Sequence, residues 1–323
     1  MSGNAGALLR IAVSVGIVAV VLVSIDAAEV GQRLARAEAG WLLAAGALLT
    51  VQTLLMAMRW RLTAAWLGLR IGWRQAVGEY YIGQLVNVTL PGGVIGDAAR
   101  AVRSRDRGGL TASAHAVMIE RLAGQGAMAV VVGLGFAATL AMPGGIVWPR
   151  WTGVILLAAV CAVALAIGGT LLLSRHQAIV RSFTGNFRRA VLSPAVLPQQ
   201  IALGLAIVAL NLAAFAACAR ATQTALPFEA IVTIVPLILT AMLIPVSVAG
   251  LGWREGAAAA LFPLVVATPD AGVAASLAFG LVLVGTSLPG LIWIVGPPAT
   301  RAGLADRRTK ALAYLSNDGK GPS

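Results

Sequence analysis

Six long segments that contain no Asp, Glu, Lys or Arg constrain this chain more than any other feature of its sequence. They cover residues 39–58, 122–149, 151–174, 190–219, 230–253 and 271–300, and each is at least 20 residues long. A helix rises about 1.5 Å per residue and the hydrocarbon core of a bilayer is about 30 Å thick, so each segment is long enough to span a membrane. The sequence therefore predicts an all-α, polytopic integral membrane protein.

The composition supports this class and excludes others. Hydrophobic residues make up 59% of the 323 residues and charged residues only 11%, whereas a soluble globular domain is about 25% charged. The formal net charge is +12, but 22 of the 24 basic residues are Arg in short loops between apolar segments. We interpret this charge as one that orients the chain in the membrane, and we expect no nucleic-acid partner. Because the spans and their connections use nearly the whole chain, we also expect no soluble catalytic domain.

The arginine positions predict how the segments cross the membrane. With a cytoplasmic N-terminus, an uncleaved first span at about 8–25 is followed by spans at about 39–58, 113–141, 151–174, 199–219 and 272–296. This arrangement places 18 basic residues in the cytoplasm and five outside (Arg33, Arg36, Arg150, Arg220 and Arg254). Because positively charged loops stay in the cytoplasm, the asymmetry predicts about six full spans in the inner membrane, with both termini cytoplasmic.

Two further segments carry helix-breaking residues and do not fit as simple spans. Residues 75–99 leave the cytoplasm and return to it, and residues 229–267 begin and end outside. The breaks contain Pro91, Gly92, Gly93 and Gly96 in the first segment and Pro245, Gly250 and Gly252 in the second. Irregular backbone at membrane depth is tolerated where protein or water satisfies its polar groups. We therefore predict two re-entrant or broken helical hairpins, and a plain eight-span count is the alternative.

The two breaks resemble each other. Leu90–Arg100 aligns without gaps with Ile244–Arg254 at an offset of 154, and Pro, Gly and Arg recur at the same three positions. This pattern predicts an inverted repeat with halves at about 1–150 and 151–300, although three identities in eleven positions also fit chance. Residues 301–323 are too polar to bury much apolar area, so we expect a disordered cytoplasmic tail there.

Ionisable groups in or beside a span cost several kcal/mol unless they are paired or hydrated, so each is a candidate for function. The candidate substrate-binding residues are Glu79, Asn87, Asp97, Arg100, Glu120, Arg121, Arg254 and Glu255. Neutralisation of opposite charges at helix ends is the alternative role. Glu79 has no basic neighbour within one turn except Arg74, so we expect it to be hydrated or protonated. No nucleophile motif, metal-ligand cluster or phosphate-binding loop is recognisable, and we expect no enzyme activity, metal or cofactor.

Four ordered motifs carry a resemblance to a known family. Met58–Trp60, Gly83–Arg100, Glu120–Gly124 and Pro245–Glu255 resemble the signature stretches of the lysylphosphatidylglycerol synthase transmembrane-region family, also called flippase-like. The resemblance covers about residues 8–300 and implies a single transmembrane domain. Members that carry an aminoacyl-transferase domain make aminoacylated phosphatidylglycerol, and their membrane part is associated with its movement. Some stand-alone members accompany hopanoid or glycan-lipid pathways, so the resemblance does not specify the substrate.

Residues and resemblance together favour a bacterial inner-membrane protein that flips or scrambles a lipid. In this hypothesis Arg100 and Arg254 contact an anionic headgroup, or a lipid-linked intermediate, from opposite leaflets. Asp97, Glu120 and Glu255 orient those arginines or contact a cationic substituent. One alternative is an accessory subunit, without transport activity, that docks a lipid- or glycan-lipid-modifying enzyme. The other is an integral-membrane transferase that acts on a lipid-linked donor.

Overall fold

A computed structural model of the chain describes residues 26–90, 94–105, 109–141, 146, 148, 177–242, 252–265 and 267–295. Within these ranges every regular element is helical. Several predictions concern residues outside them: the first span at 8–25, the span at 151–174, the break residues Pro91, Gly92, Gly93, Pro245 and Gly250, and the tail at 301–323.

Eleven helices lie within the described residues. In chain order they are α1 (Ala27–Ala35), α2 (Ala39–Trp66), α3 (Trp73–Thr89), α4 (Ile95–Arg103), α5 (Gly109–Ala141), α6 (Gln177–Phe187), α7 (Leu197–Ala221), α8 (Phe228–Ala241), α9 (Trp253–Leu261), α10 (Pro269–Ser287) and α11 (Pro289–Val295). A π-helical turn at Arg188–Leu192 continues α6, and a 3-10 turn at Phe262–Val265 continues α9.

Four of the described helical segments are long and apolar enough to cross a bilayer: Ala39–Trp66, Gly109–Thr139, Leu197–Ala221 and Pro269–Val295. They confirm the predicted class, and the chain is an all-α polytopic membrane protein. The largest difference from the predicted boundaries lies in α2, which continues beyond residue 58 to Trp66. The charge of Arg59 does not end this helix, because the Arg59 side chain is 2% exposed and pairs with a carboxylate inside the protein.

The core lies where α2, α7, α8 and α10 meet. Leu49, Phe215, Ile234 and Phe279 are almost fully buried there, together with many alanines. Small residues let helix backbones approach closely, which is how transmembrane helices gain packing contacts when lipid is as apolar as their side chains. This core holds the helices that surround the site described below.

Both predicted breaks are flanked by a pair of helices. In the first, α3 ends at Thr89 and α4 begins at Ile95, and the two helices pack against each other. A methyl carbon on Gly96 would overlap the carbonyl oxygen of Gly83, so this close approach requires glycine. The Gly96 N–H also donates to Asn87 Oδ1 at 2.8 Å, which closes the hairpin.

In the second, α8 precedes the break and α9 follows it. Gly252, at the N-cap of α9, has a φ of +88°, a conformation that favours glycine. Its N–H donates to Glu255 Oε2 at 2.7 Å, so a side chain within the helix satisfies the backbone at the break.

Candidate functional site

A cavity of about 610 Å³ lies between the helices, and seven of them contribute to its wall: α2, α3, α4, α5, α7, α8 and α10. One part of the lining is apolar and includes Met56, Met128, Ile207, Leu239 and Leu283. The other part is charged and polar. The volume lies within the range of about 300–1,000 Å³ that is typical of ligand pockets.

Glu120 of α5 lies at the centre of the charged part. Its side chain is 1% exposed, and its two carboxylate oxygens accept hydrogen bonds from three groups on three other helices. Arg59 Nη2 of α2 and the Tyr80 hydroxyl of α3 donate to Oε1 at 2.7 and 2.9 Å. Arg100 Nη2 of α4 donates to Oε2 at 3.2 Å. The carboxylate therefore ties four helices together and offsets part of the charge of two buried arginines.

Asp97 of α4 forms the second anionic point of the same cluster. Its Oδ1 accepts from Arg100 Nη2 at 3.0 Å, and its Oδ2 accepts from Asn87 Nδ2 at 3.0 Å. Arg121, next to Glu120 on α5, also pairs with Oδ2. We call Arg59, Asp97, Arg100, Glu120 and Arg121 the charged cluster; it contains three cations and two anions, a formal charge of +1.

Two arginines of the charged cluster keep nitrogen atoms that donate to no acceptor among the described residues. These atoms are Nε and Nη1 of Arg59 and Nε of Arg100, and all three are buried. Both arginines line the cavity. The Arg100 guanidinium also lies against two rings, with its Cζ 4.7 Å from the centroid of Trp60 and 4.3 Å from that of Tyr80. Its position is therefore fixed by aromatic as well as ionic contacts.

The sequence profile of the lysylphosphatidylglycerol synthase TM region family matches residues 7–290. The chain belongs to this family. Searches of curated proteins and of solved structures give no significant match. Membership of the family indicates a function that concerns membrane lipids, which agrees with a cavity lined in part by the four helices that are long enough to cross the membrane.

The structure brings most of the predicted site residues of this family member into one place. Asn87, Asp97, Arg100, Glu120 and Arg121 all line the cavity. Glu79 lies nearby on α3 but outside the lining, and it accepts a hydrogen bond of 2.6 Å from Arg103 Nε. The expectation that Glu79 lacks a basic partner is therefore corrected: α4 folds back and places a cation beside it.

Arg254 and Glu255 form a separate cluster behind the cavity wall. Arg254 is 2% exposed and donates to Glu255 Oε1 at 2.7 Å and to Ser276 Oγ of α10 at 2.8 Å. The Ser276 hydroxyl donates to the same Glu255 oxygen at 3.0 Å. The Arg254 guanidinium lies over the ring of Phe279, whose side chain belongs to the cavity lining. This cluster is charge-neutral and joins α9 to α10.

Three participants were missing from the predicted site residues: Arg59, Tyr80 and Ser276. Arg59 had a usable signal, since it directly follows an uncharged segment of 20 residues and belongs to the Met58–Trp60 motif. The predicted span at 39–58 places Arg59 just beyond the membrane-spanning segment. Tyr80 and Ser276 carry no charge, and nothing in the local sequence distinguishes them from other polar residues in helices.

Proposed function

We propose that this protein moves a lipid with an anionic headgroup across the bacterial inner membrane. The observation that carries the proposal is the charged cluster: two buried arginines with unpaired donors line a cavity whose remaining wall is largely apolar. A lipid has the same division, with a charged headgroup and acyl chains. No chemical reaction is assigned to the cavity.

The chemistry of the unpaired donors favours a phosphate group. Arginine carries five N–H donors and no acceptor, so donors that a carboxylate leaves unused favour an anion. Nε and Nη1 of Arg59 lie on different edges of its guanidinium and would donate to different acceptors, and Nε of Arg100 adds a third donor. Buried donors without acceptors are costly, by about 1–3 kcal/mol each. An anion that accepted these hydrogen bonds would remove that cost on binding.

The clusters have different roles in this proposal. The charged cluster contacts the headgroup. The Arg254–Glu255–Ser276 cluster holds α9 against α10 and supports Phe279 at the cavity wall, so Arg254 and Glu255 position the wall. We place both termini in the cytoplasm, because that orientation keeps most arginine-rich loops on the cytoplasmic side.

Transport in proteoliposomes tests the proposal. The purified protein is reconstituted in phosphatidylcholine vesicles that contain a trace of acyl-labelled phosphatidylglycerol, and dithionite bleaching reports how fast the label reaches the outer leaflet. We expect movement that depends on the protein. An accessory subunit or a transferase would leave the label where protein-free vesicles leave it, and that result would refute the proposal.

Arg59→Lys tests the charged cluster with a small change. Lysine keeps the positive charge beside Glu120 but removes the unpaired donors Nε and Nη1. Loss of a hydrogen bond to a charged group costs about 1.5–3 kcal/mol, so transport should fall by about 10- to 100-fold. Arg61→Lys is the matched control, because Arg61 lies half a turn away on α2 but is exposed and does not line the cavity. Parental transport by Arg59→Lys would remove Arg59 from the site.

A further inference from the structure

The cavity lining also indicates what the phosphate of the lipid carries. Resting on the transport proposed above, we infer that the protein selects a phosphodiester lipid with an uncharged, hydroxyl-bearing substituent, such as glycerol or a sugar. We further infer that it discriminates against a lipid whose headgroup carries a free amine. The inference is based on the pairing of the carboxylates, the formal charge of the cluster and the polar side chains around it.

The carboxylates that line the cavity already pair with arginine side chains. Among the described residues only Asp97 and Glu120 contribute carboxylates to the lining. Glu120 accepts from Arg59, Arg100 and Tyr80, and Asp97 accepts from Arg100, Asn87 and Arg121. A cationic amine would have to share a carboxylate that already pairs with arginine. The cavity therefore offers an ammonium group no ready anionic partner.

The formal charge of the cluster leads to the same conclusion. Three arginines against two carboxylates leave one positive charge, which a single phosphodiester anion would balance. A lysyl headgroup adds positive charges to the same place. Like charges brought together in a partly desolvated site cost several kcal/mol, so the cluster should disfavour such a lipid.

Uncharged polar side chains complete the lining. Five carboxamides surround the cavity, namely Gln52, Gln84, Asn87, Gln125 and Asn211. Gln52, Gln125 and Asn211 make no hydrogen bond to another described residue, while Gln84 accepts from Thr53 and Asn87 bridges Gly96 to Asp97. A carboxamide both donates and accepts hydrogen bonds, which matches a hydroxyl group that does the same. Carboxamides available around a cationic centre are the pattern expected for a phosphate that bears hydroxyl groups.

A comparison of transport rates for three headgroups tests the inference. Phosphatidylcholine vesicles with the protein receive a trace of acyl-labelled phosphatidylglycerol, phosphatidylethanolamine or lysylphosphatidylglycerol, each in a separate preparation. We expect phosphatidylglycerol to move at least about tenfold faster than lysylphosphatidylglycerol, with phosphatidylethanolamine also slower than phosphatidylglycerol. Equal rates for all three lipids would overturn the selectivity and leave the proposed transport standing.

Arg121→Gln provides a charge-specific test. Arg121 is 37% exposed, and its loss strands no buried anion, because Asp97 keeps Arg100 and Asn87 as partners. The variant lowers the formal charge of the cluster to zero and releases part of the Asp97 carboxylate. We expect the preference for phosphatidylglycerol over lysylphosphatidylglycerol to narrow by about tenfold. Arg105→Gln is the control, since it removes the same charge from an exposed position outside the cavity. An unchanged preference in Arg121→Gln would contradict the inference.

A binding measurement distinguishes failure of the headgroup assignment from failure of the proposed transport. The thermal shift of the detergent-solubilised protein is measured with short-chain phosphatidylglycerol, with short-chain lysylphosphatidylglycerol and with inorganic phosphate. We expect phosphatidylglycerol to give the largest shift. If no lipid is transported but this order holds, the proposed function fails and the headgroup assignment survives. A shift with lysylphosphatidylglycerol or inorganic phosphate as large as that with phosphatidylglycerol would overturn the assignment.

Discussion

Glu120→Gln should destabilise the protein far more than its small change in volume suggests. Glutamine has nearly the size and shape of glutamate, so the packing at this position is preserved and the main difference is the charge. That charge faces two arginines, with Arg59 Nη2 at 2.7 Å and Arg100 Nη2 at 3.2 Å. The two arginines differ in the carboxylate partners that they keep after the substitution.

The structure gives the size of the effect. Arg100 retains its ion pair with Asp97 at 3.0 Å, whereas Arg59 has no second carboxylate partner among the described residues. Arg59 and Glu120 are 2% and 1% exposed, so the remaining cation cannot reach bulk water without rearrangement. Removing one partner of a buried ion pair costs about 3–5 kcal/mol. We expect a loss of that order in the free energy of unfolding.

The measurement is reversible unfolding by SDS in mixed micelles, with a matched substitution as its control. Glu79→Gln makes the same chemical change in another ion pair, Glu79 with Arg103 at 2.6 Å, whose side chains are 14% and 36% exposed. The cation left behind, Arg103, is exposed and can be hydrated, so this variant should lie within about 1 kcal/mol of the parent. The difference in unfolding free energy between Glu120→Gln and Glu79→Gln therefore separates the effect of burial from the effect of losing a carboxylate.

A loss below about 1 kcal/mol in Glu120→Gln would refute the reasoning, because it would show that Arg59 is hydrated once its partner is neutral. A second variant checks the mechanism. Replacing Arg59 with Gln in the Glu120→Gln background removes the stranded cation and should recover part of the lost free energy. No recovery would mean that the destabilisation has another origin.

Three further predictions concern other parts of the chain. A cysteine replacing Arg105, in a background without the native cysteines, should resist an impermeant thiol reagent in intact cells, and efficient labelling would overturn the cytoplasmic assignment. Gly96→Ala should cost about 1–3 kcal/mol or more in the SDS assay through overlap with Gly83, whereas Gly126→Ala, with open space around it, should not destabilise. Arg254→Ala should lose about 3–5 kcal/mol because it strands buried Glu255, and Arg254→Lys should keep most of the stability and the transport.

The membrane class and the positions of the spans were predictable because they depend on the length and polarity of local sequence. The uncharged segments at 190–219 and 271–300 correspond to the helices Leu197–Ala221 and Pro269–Val295. The same reasoning placed the end of α2 too early, since it treated the first arginine as the membrane boundary. An arginine can lie within a helix when a carboxylate on another helix neutralises it, and local sequence does not show that partner.

The site was predictable as a set of residues but not as a set of contacts. Ionisable groups in apolar surroundings are few, which drew attention to Asp97, Arg100 and Glu120. Their pairing depends on how the helices fold against one another. Glu79 shows the limit most clearly: its nearest basic residue in the sequence is Arg74, five positions away, but its partner Arg103 lies 24 positions along the chain, across the break. Only the hairpin of α3 and α4 brings the two together.

The aligned arginines of the predicted repeat occupy unlike surroundings. Arg100 lies in the second turn of α4, lines the cavity and keeps an unpaired donor. Arg254 lies in the first turn of α9, where Glu255, Ser276 and the Met242 sulfur accept from its three nitrogen atoms. The inverted repeat stays a prediction, but an equal role for the two arginines does not follow from it. A phosphate needs donors that are not already used and a positive charge that is not already balanced. Arg59 and Arg100 keep such donors within the charged cluster, so in our proposal that cluster contacts the headgroup, while Arg254 supports Phe279 at the cavity wall.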